Sequence, residues 1–427
     1  MAREHRRHRP GPADPLVGTQ VEVDVERVAH GGHAVARHEG RVVFVRHALP
    51  GERVVVRLTS TGAAQRFWRA DAVEILVASA DRVDSPWPAA GPGGVGGAEL
   101  GHVSLDGQRR WKAAVVAEQL SRLAGDTREV QVEPAPGDGE RAGLGWRTRI
   151  SLVTDGAGRA GMHRHRSHDV VALRDMPLAS EAMADLHLFD RTWPAGARIE
   201  VAAPAGGDRP VVLVDGMPWL ETGPDTRPTA RTSVREEVVL PDGTARRYKV
   251  AAAGFWQVHR RAPQVLLTAV TQALEETDLE GAATFDLYAG AGLFTPLLAG
   301  LVGPHGQVLA VEGDSRAGAD ARRNCHDLPH VELATADVSD ALATAPVDRA
   351  RAVVLDPPRV GAGAEVVGQV AALEPETVVY VACDPAALAR DVATFAGLGY
   401  RLGTLRAFDL YPMTHHVECV ARLVRGG

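Results

Sequence analysis

The sequence predicts an α/β protein: a doubly wound parallel sheet in its C-terminal part, preceded by a small β-barrel and a mostly β central region. Three observations carry this. Short alternating apolar runs broken by glycine turns fill residues 17–77, the pattern of small barrels. From about residue 262 the period changes, and strand-like runs alternate with helical ones to the end of the chain, as in parallel sheets. A Gly-x-Gly element, Gly290-Ala291-Gly292, directly follows the first of these strands.

Composition sets outer limits. The chain has 427 residues, 45% of them hydrophobic, and a formal net charge of -7. At roughly 100 to 200 residues per domain, the length predicts two to four domains. The hydrophobic content excludes global disorder. Lys112 and Lys249 are the lysines among 47 basic residues, which leaves 45 arginines. A net negative charge excludes a protein that coats nucleic acid by bulk electrostatics, yet leaves room for a local basic surface. Three scattered cysteines, Cys325, Cys383 and Cys419, are too few for a disulfide framework, so a reducing compartment, the cytoplasm, is expected. Residues 1–15 carry Arg3, Arg6, Arg7 and Arg9 with no apolar stretch behind them and read as a basic disordered tail, not a signal peptide. Leu287 to Val311 contains no Asp, Glu, Lys or Arg and is long enough to span a membrane. Its five glycines and two prolines divide it instead into strand, turn, helix, turn and strand, so no membrane partner is expected.

Along the chain, the runs VEVDVERV, GRVVFV and ERVVVRL are punctuated at Gly31-Gly32, His38-Glu39-Gly40 and Leu49-Pro50-Gly51. The pattern from Gly18 to Leu58, and GRVVFVRHALPGE most of all, resembles the TRAM domain, an OB-like barrel. The resemblance implies an RNA-binding barrel over residues 16–78; a generic small barrel is the plainer alternative. A Gly/Pro-rich loop, SPWPAAGPGGVGGAELG, follows at 85–101. Residues 79–255 read as a β-rich central domain containing one helix, 105–123, which is a candidate to pack on the C-terminal domain. Two stretches of it are basic. Gly145–Arg174 holds six arginines and three histidines, and Arg227–Lys249 holds six basic residues. Solvated strand faces would explain either one alone. Beside an RNA-binding barrel they become a plausible track for RNA backbone.

Residues 256–427 form the expected catalytic domain. Thr284–Tyr288 runs into Ala289-Gly290-Ala291-Gly292 and then a helix, which lets backbone approach a ligand at a helix N-terminus. Glu312, about 20 residues on and ending the second strand, suits a ribose diol. Asp337, ending the third, is placed to meet an adenine edge. A dinucleotide enzyme would want a third glycine where this chain has Thr295. Asp286-Leu-Tyr288-Ala-Gly290-Ala-Gly292 with Glu312 and Asp337 resembles the S-adenosylmethionine site of Rossmann-like class I methyltransferases. Asp356-Pro357-Pro358-Arg359 follows the fourth strand. An aromatic after the prolines would suggest amino methylation, and Arg359 shifts the reading away from it. A cysteine at the carboxyl end of a parallel strand, Cys383, points into the ligand crevice. Cys325 and Cys419 read as buried small residues.

DLYAGAG, LDPPR, VYVACDPAALARD and DLYPMTHHVE, with Phe255-Trp256-Gln257, resemble the signature blocks of the RNA (uracil-5-)-methyltransferase family. The resemblance runs from the barrel to the end of the chain. It implies methyl transfer from S-adenosylmethionine to C5 of a uridine in rRNA or tRNA, with Cys383 as nucleophile and Glu418 as general base. Gln257 and Asp356 would orient the cofactor or the base, and Tyr288, Gly290, Gly292, Glu312 and Asp337 would line the cofactor site. The implied partner is structured RNA with a flipped-out uridine, and a monomer is the default. Many relatives carry a four-cysteine iron–sulfur motif. Here Trp87, Val95 and Met176 stand where cysteines would fall, so no cluster and no metal site are expected. Leu293 stands where relatives often have Asn, and Asp384 where they have Asn after the cysteine. A negative charge beside Cys383 disfavours its thiolate. Two other readings stay open: an RNA methyltransferase acting on a different atom, and an RNA-binding paralogue without catalysis.

Overall fold

A computed structural model describes residues 16–62, 65–165 and 167–426; the tail expected over residues 1–15 lies outside them. The chain forms two compact units, one ending at Ser104 and one spanning Leu105–Gly427. The first holds strands β1 (Gln20–Ala29), β2 (His33–His38), β3 (Arg41–Arg46), β4 (Arg53–Ser60) and β5 (Phe67–Val77), closed into a barrel in the order β1-β2-β3-β5-β4. Alternation decides which side chains enter: Val54, Val56 and Leu58 of β4 are buried while Arg53 and Arg57 point out, as a two-residue period requires. Pairing of β1 with β4 seals the cylinder. Glu52, buried at the mouth of β4, accepts hydrogen bonds from the amides of Leu49 and Ser79 and from Arg82, tying the segment after β5 back to the barrel.

The second unit begins with helix α1 (Leu105–Ala124) and strand β6 (Val132–Pro134). Next comes a seven-stranded antiparallel sheet, ordered β13-β12-β11-β10-β7-β8-β9. Its strands are β7 (Arg149–Thr154), β8 (Ala160–His163), β9 (Val170–Ala172), β10 (Arg198–Ala202), β11 (Val211–Val214), β12 (Met217–Leu220) and β13 (Gly223–Pro224), with a short helix α2 (Glu181–Ala184) between β9 and β10. A hairpin of β14 (Ser233–Val239) and β15 (Ala245–Ala251) leads to α3 (Ala262–Leu274). The C-terminal part then alternates β16 (Ala283–Leu287), α4 (Thr295–Val302), β17 (Gln307–Glu312), α5 (Ser315–Asn324), β18 (Val331–Thr335), α6 (Val338–Ala343), β19 (Ala352–Leu355), α7 (Gly363–Ala372), β20 (Thr377–Ala382), α8 (Pro385–Gly397), β21 (Tyr400–Asp409) and β22 (Glu418–Arg425).

These last strands form one eight-stranded sheet, β18-β17-β16-β19-β20-β22-β21-β6. The chain starts in the middle at β16, moves outward to β17 and β18, and returns to β19 on the other side. The reversal opens a crevice at the carboxyl ends of β16 and β19, the usual ligand site of such sheets. Both faces of the sheet are covered, so its strands read as continuous apolar runs. All four residues of β19 are buried: Val353 and Leu355 pack in the layer with α1, α6, α7 and α8, Ala352 and Val354 in the layer with α3 and α4. The chargeless stretch from Leu287 to Val311 is the end of β16, the glycine loop, α4 and most of β17. Among the described residues, no helix is long and apolar enough to cross a membrane.

Helix α1 packs on α8, in the domain on which the sequence offered it as a candidate to pack. One feature goes beyond the sequence reading: β6 extends the large sheet by pairing parallel to β21, with Glu133 forked onto Arg406 at 2.8 and 2.7 Å. Three residues are too short for periodicity to reveal. Of the two basic stretches, most of the described arginines are exposed, and one is internal. Arg149 is buried and donates to the carbonyls of Ala251, Ala252 and Gly254. Arg227, Arg231, Arg246 and Arg247 pair with Asp225, Asp208, Asp327 and Glu237. Composition shows positive charge but not the carboxylates that fold back onto it.

Candidate active site

The glycine loop is a strained turn. After β16, Tyr288 takes φ 61°, in the left-handed region, followed by Gly290 at 57° and Gly292 at 86°. A Cβ on Gly292 would lie 3.2 Å from Cys325 Sγ, so glycine is needed there for conformation and space alike. Thr295, standing in place of a third glycine, donates its hydroxyl to the buried Asp286 carboxylate at 2.5 Å. Burial pushes the Asp286 acid up to about 7, against the Thr295 bond, with the Glu312 charge adding to the rise. Thr295 therefore anchors the start of α4 to β16. Asn324 ties the loop to β15 from behind, donating to Ala291 O at 2.9 Å and accepting from Lys249 N at 2.8 Å.

A cavity of about 670 Å³ runs along the carboxyl edge of the sheet. Of the nine residues the sequence singles out, Gln257, Tyr288, Gly290, Glu312, Asp337, Asp356, Cys383 and Glu418 line it. Gly292 does not: it packs against Ala321 and Cys325 behind the loop, so its part is to let the loop lie close to α5.

At one end of the cavity, Glu312 grips backbone, accepting from Gly290 N at 2.8 Å and Asp314 N at 2.6 Å. Each oxygen keeps a second lone pair for a hydroxyl. Asp337 caps α6, accepting from Ser339 N at 2.9 Å. Leu293, Phe294 and Val338 supply apolar wall between them.

At the other end, a single reversed strand makes the chemistry possible. β22 runs antiparallel to β20, with Ala382 opposite Cys419. The start of β22 therefore meets the end of β20, bringing Cys383 and Glu418 into one wall. Glu418 is buried and accepts a hydrogen bond from the Tyr411 hydroxyl at 3.1 Å. Burial, followed by the charge of Asp356, holds its carboxyl well above the ordinary range, while the Tyr411 bond and Arg359 act the other way. Burial and the charge of Asp286 push Asp356 up to about 7. Arg359, at the rim, lies 3.4 Å from His416 Nε2. Tyr411, His416 and Arg359 line the same cavity; the sequence assigned none of them a site role, although all three lie inside the signature blocks.

Cys383 is half-buried, whereas Cys325 and Cys419 are buried. Burial, then the charges of Glu418 and Asp356, push the Cys383 thiol up to about 12; Arg359 opposes this and Asp384 adds to it. Asp384 has a second role, as N-cap of α8: its side chain accepts from Ala387 N at 2.8 Å, with Pro385 at the first helical position. Asn caps as well as Asp, so Asp384→Asn separates charge from cap. In the wild type, kcat/KM is expected to rise about tenfold per pH unit between pH 7 and 9, following thiolate formation. The variant should keep that slope and run roughly two- to fivefold faster at pH 7, the effect of one fewer nearby charge. A slower variant with an unchanged melting temperature would show that the charge does not suppress the thiolate.

Comparison with known proteins places this geometry. The sequence profile of the TRAM domain matches residues 15–72, and that of tRNA (uracil-5-)-methyltransferase matches residues 230–425. An uncharacterized RNA methyltransferase of Streptomyces coelicolor is 45% identical over 432 residues, covering 96% of this chain and 93% of its own. One from Bifidobacterium longum is 45% identical over 432 residues, covering 95% and 97%. The fold matches the Pyrococcus abyssi tRNA (uracil-54, C5)-methyltransferase, solved with S-adenosyl-L-homocysteine, with a TM-score of 0.69 at 22% identity, covering 94% of this chain and 100% of that one. The barrel, the sheet and the sequence blocks agree, and the chain belongs to the RNA methyltransferases of the tRNA (uracil-5-)-methyltransferase family.

Proposed function

We propose that the protein methylates C5 of a uridine in rRNA or tRNA, using S-adenosylmethionine, through a covalent adduct between Cys383 and C6. The observation that carries this reading is the placement of Cys383 and Glu418 on one cavity wall by the β20–β22 register. The other end of the cavity fits the cofactor. The left-handed glycine loop brings backbone to its edge, and Glu312 and Asp337 offer carboxylate acceptors beside an apolar wall. When bound, S-adenosylmethionine would supply a methyl group on a cationic sulfonium.

C5 of uracil is a weak nucleophile, and the thiolate overcomes this. Cys383 Sγ forms a bond to C6, and the C5–C6 π pair moves onto C5 and O4 as an enolate. The C5 carbon then takes the methyl group, forming the C5–CH3 bond as the sulfonium bond breaks. Glu418 removes the C5 proton, that electron pair restores C5=C6, and the S–C6 bond breaks to return the thiolate. The target base must leave its stack to reach Cys383, so a loop or flipped nucleotide is required. Phe255, an apolar ring 65% exposed at the cavity, offers a flat surface for it.

Trapping tests the reading. RNA carrying 5-fluorouridine presents a carbon from which no proton can be taken, so the adduct should persist after methyl transfer and survive denaturation. Cofactor turnover on ordinary RNA without any adduct on fluorinated RNA would exclude the covalent route.

A further inference from the structure

Arginine outnumbers lysine 45 to two in this chain, yet the cation buried behind the reaction site is a lysine. Lys112, on α1, is 0% exposed. Its Nζ donates to Asp409 Oδ1 at 2.5 Å and to the Tyr411 carbonyl at 3.0 Å. One turn earlier on the same helix face, buried Gln108 accepts from Met413 N at 2.7 Å and donates to Met413 Sδ at 3.3 Å. α1 thus grips positions 409, 411 and 413 of the segment joining β21 to β22. Met413 is held at φ 68°, a conformation that a non-glycine residue adopts only when its surroundings impose it. Trp146 stands edge-on to the Tyr411 ring, with centroids 6.2 Å apart, and the Tyr411 hydroxyl reaches Glu418.

A compact ammonium can serve a carboxylate and a carbonyl at once in a closed space, where a planar guanidinium needs more room and a matching fork. Nor is adhesion a sufficient reason for the pair. Two buried charges are costly to desolvate, and apolar residues of similar volume would join α1 to β21 at least as well. What a buried, hydrogen-bonded pair adds is direction.

We propose that Lys112 and Gln108 are positioning residues for proton removal: they fix the 409–414 turn so that Tyr411 holds Glu418 in register with the base. The proposal rests on the reading of Glu418 as general base, and its distinctive consequence is a step-specific defect. Thiol addition and methyl transfer use Cys383 just after β20, which α1 does not grip through this segment. Only release of the product should slow.

The test uses Lys112→Met together with Asp409→Asn, which removes both charges without leaving one buried alone, and separately Gln108→Leu. With ordinary uridine RNA, the double variant should complete the first methyl transfer within about threefold of wild type, turn over at least about tenfold more slowly, and accumulate denaturation-resistant methylated adduct. Gln108→Leu should show the same signature more weakly, and Lys112→Arg should not restore turnover. An equal loss in the first transfer and in turnover, no adduct, or failure of both variants to fold would each mean a structural role and overturn the proposal. Wild-type protein that forms no adduct on 5-fluorouridine RNA would instead sink the functional reading itself, and the proposal with it.

Discussion

Cys383→Ala is expected to lower methyl transfer by at least about 10^4-fold, because nothing else at the end of β20 can add to C6. Affinity for S-adenosylmethionine should stay within about twofold, since the proposed cofactor contacts lie at the Glu312–Asp337 end of the cavity. Cys383 is only half-buried, so truncation should cost about 1 kcal/mol of stability. Labelled-methyl incorporation and equilibrium dialysis measure the first two quantities. Turnover within tenfold of wild type would require another nucleophile and end the covalent scheme.

Glu418→Gln is the second large effect. Turnover should fall by about 10^2 to 10^4-fold, yet the first methyl transfer should survive, so methylated adduct accumulates on natural RNA instead of disappearing. The amide still accepts from Tyr411, which keeps the geometry. A stability measurement guards against a trivial loss. Folding raises the Glu418 pKa through burial, so the native state binds more protons than the unfolded chain once pH exceeds the usual value of about 4.3. That term therefore works against wild-type folding as pH rises from about 4.3 to the raised native value. Gln has no such term, and the melting temperature of the variant should decline less between pH 5 and 9. A variant that melts earlier than wild type at high pH, or that releases product normally, contradicts the assignment.

How far the sequence reveals this site depends on distance along the chain. Alternation in β4 and the unbroken apolar run of β19 each report a local period, so barrel and sheet are readable. The glycine loop, Glu312 and Cys383 are readable because each lies at the carboxyl end of a strand and chemistry restricts the residue type. Bonds between remote positions leave no such trace. Nothing near Arg149 signals that its guanidinium will close on carbonyls at 251–254. Nothing near Lys112 announces Asp409. Asp384 illustrates a subtler gap: its charge is visible beside Cys383, but its capping of α8 follows only from the backbone bond to Ala387.

The reach of α1 has a consequence for how the protein is made. Lys112 meets a partner 297 positions later in the chain, and β6 waits nearly as long for β21. At about 5–20 residues per second of synthesis, helix and edge strand spend roughly 15 to 60 seconds with their apolar faces uncovered. Closing so long a loop is slow because its entropy must be lost before the contacts form. Nascent α1 is therefore expected to need protection from aggregation, and changes on its apolar face should lower the yield of folded protein in cells more than they lower the stability of the finished molecule.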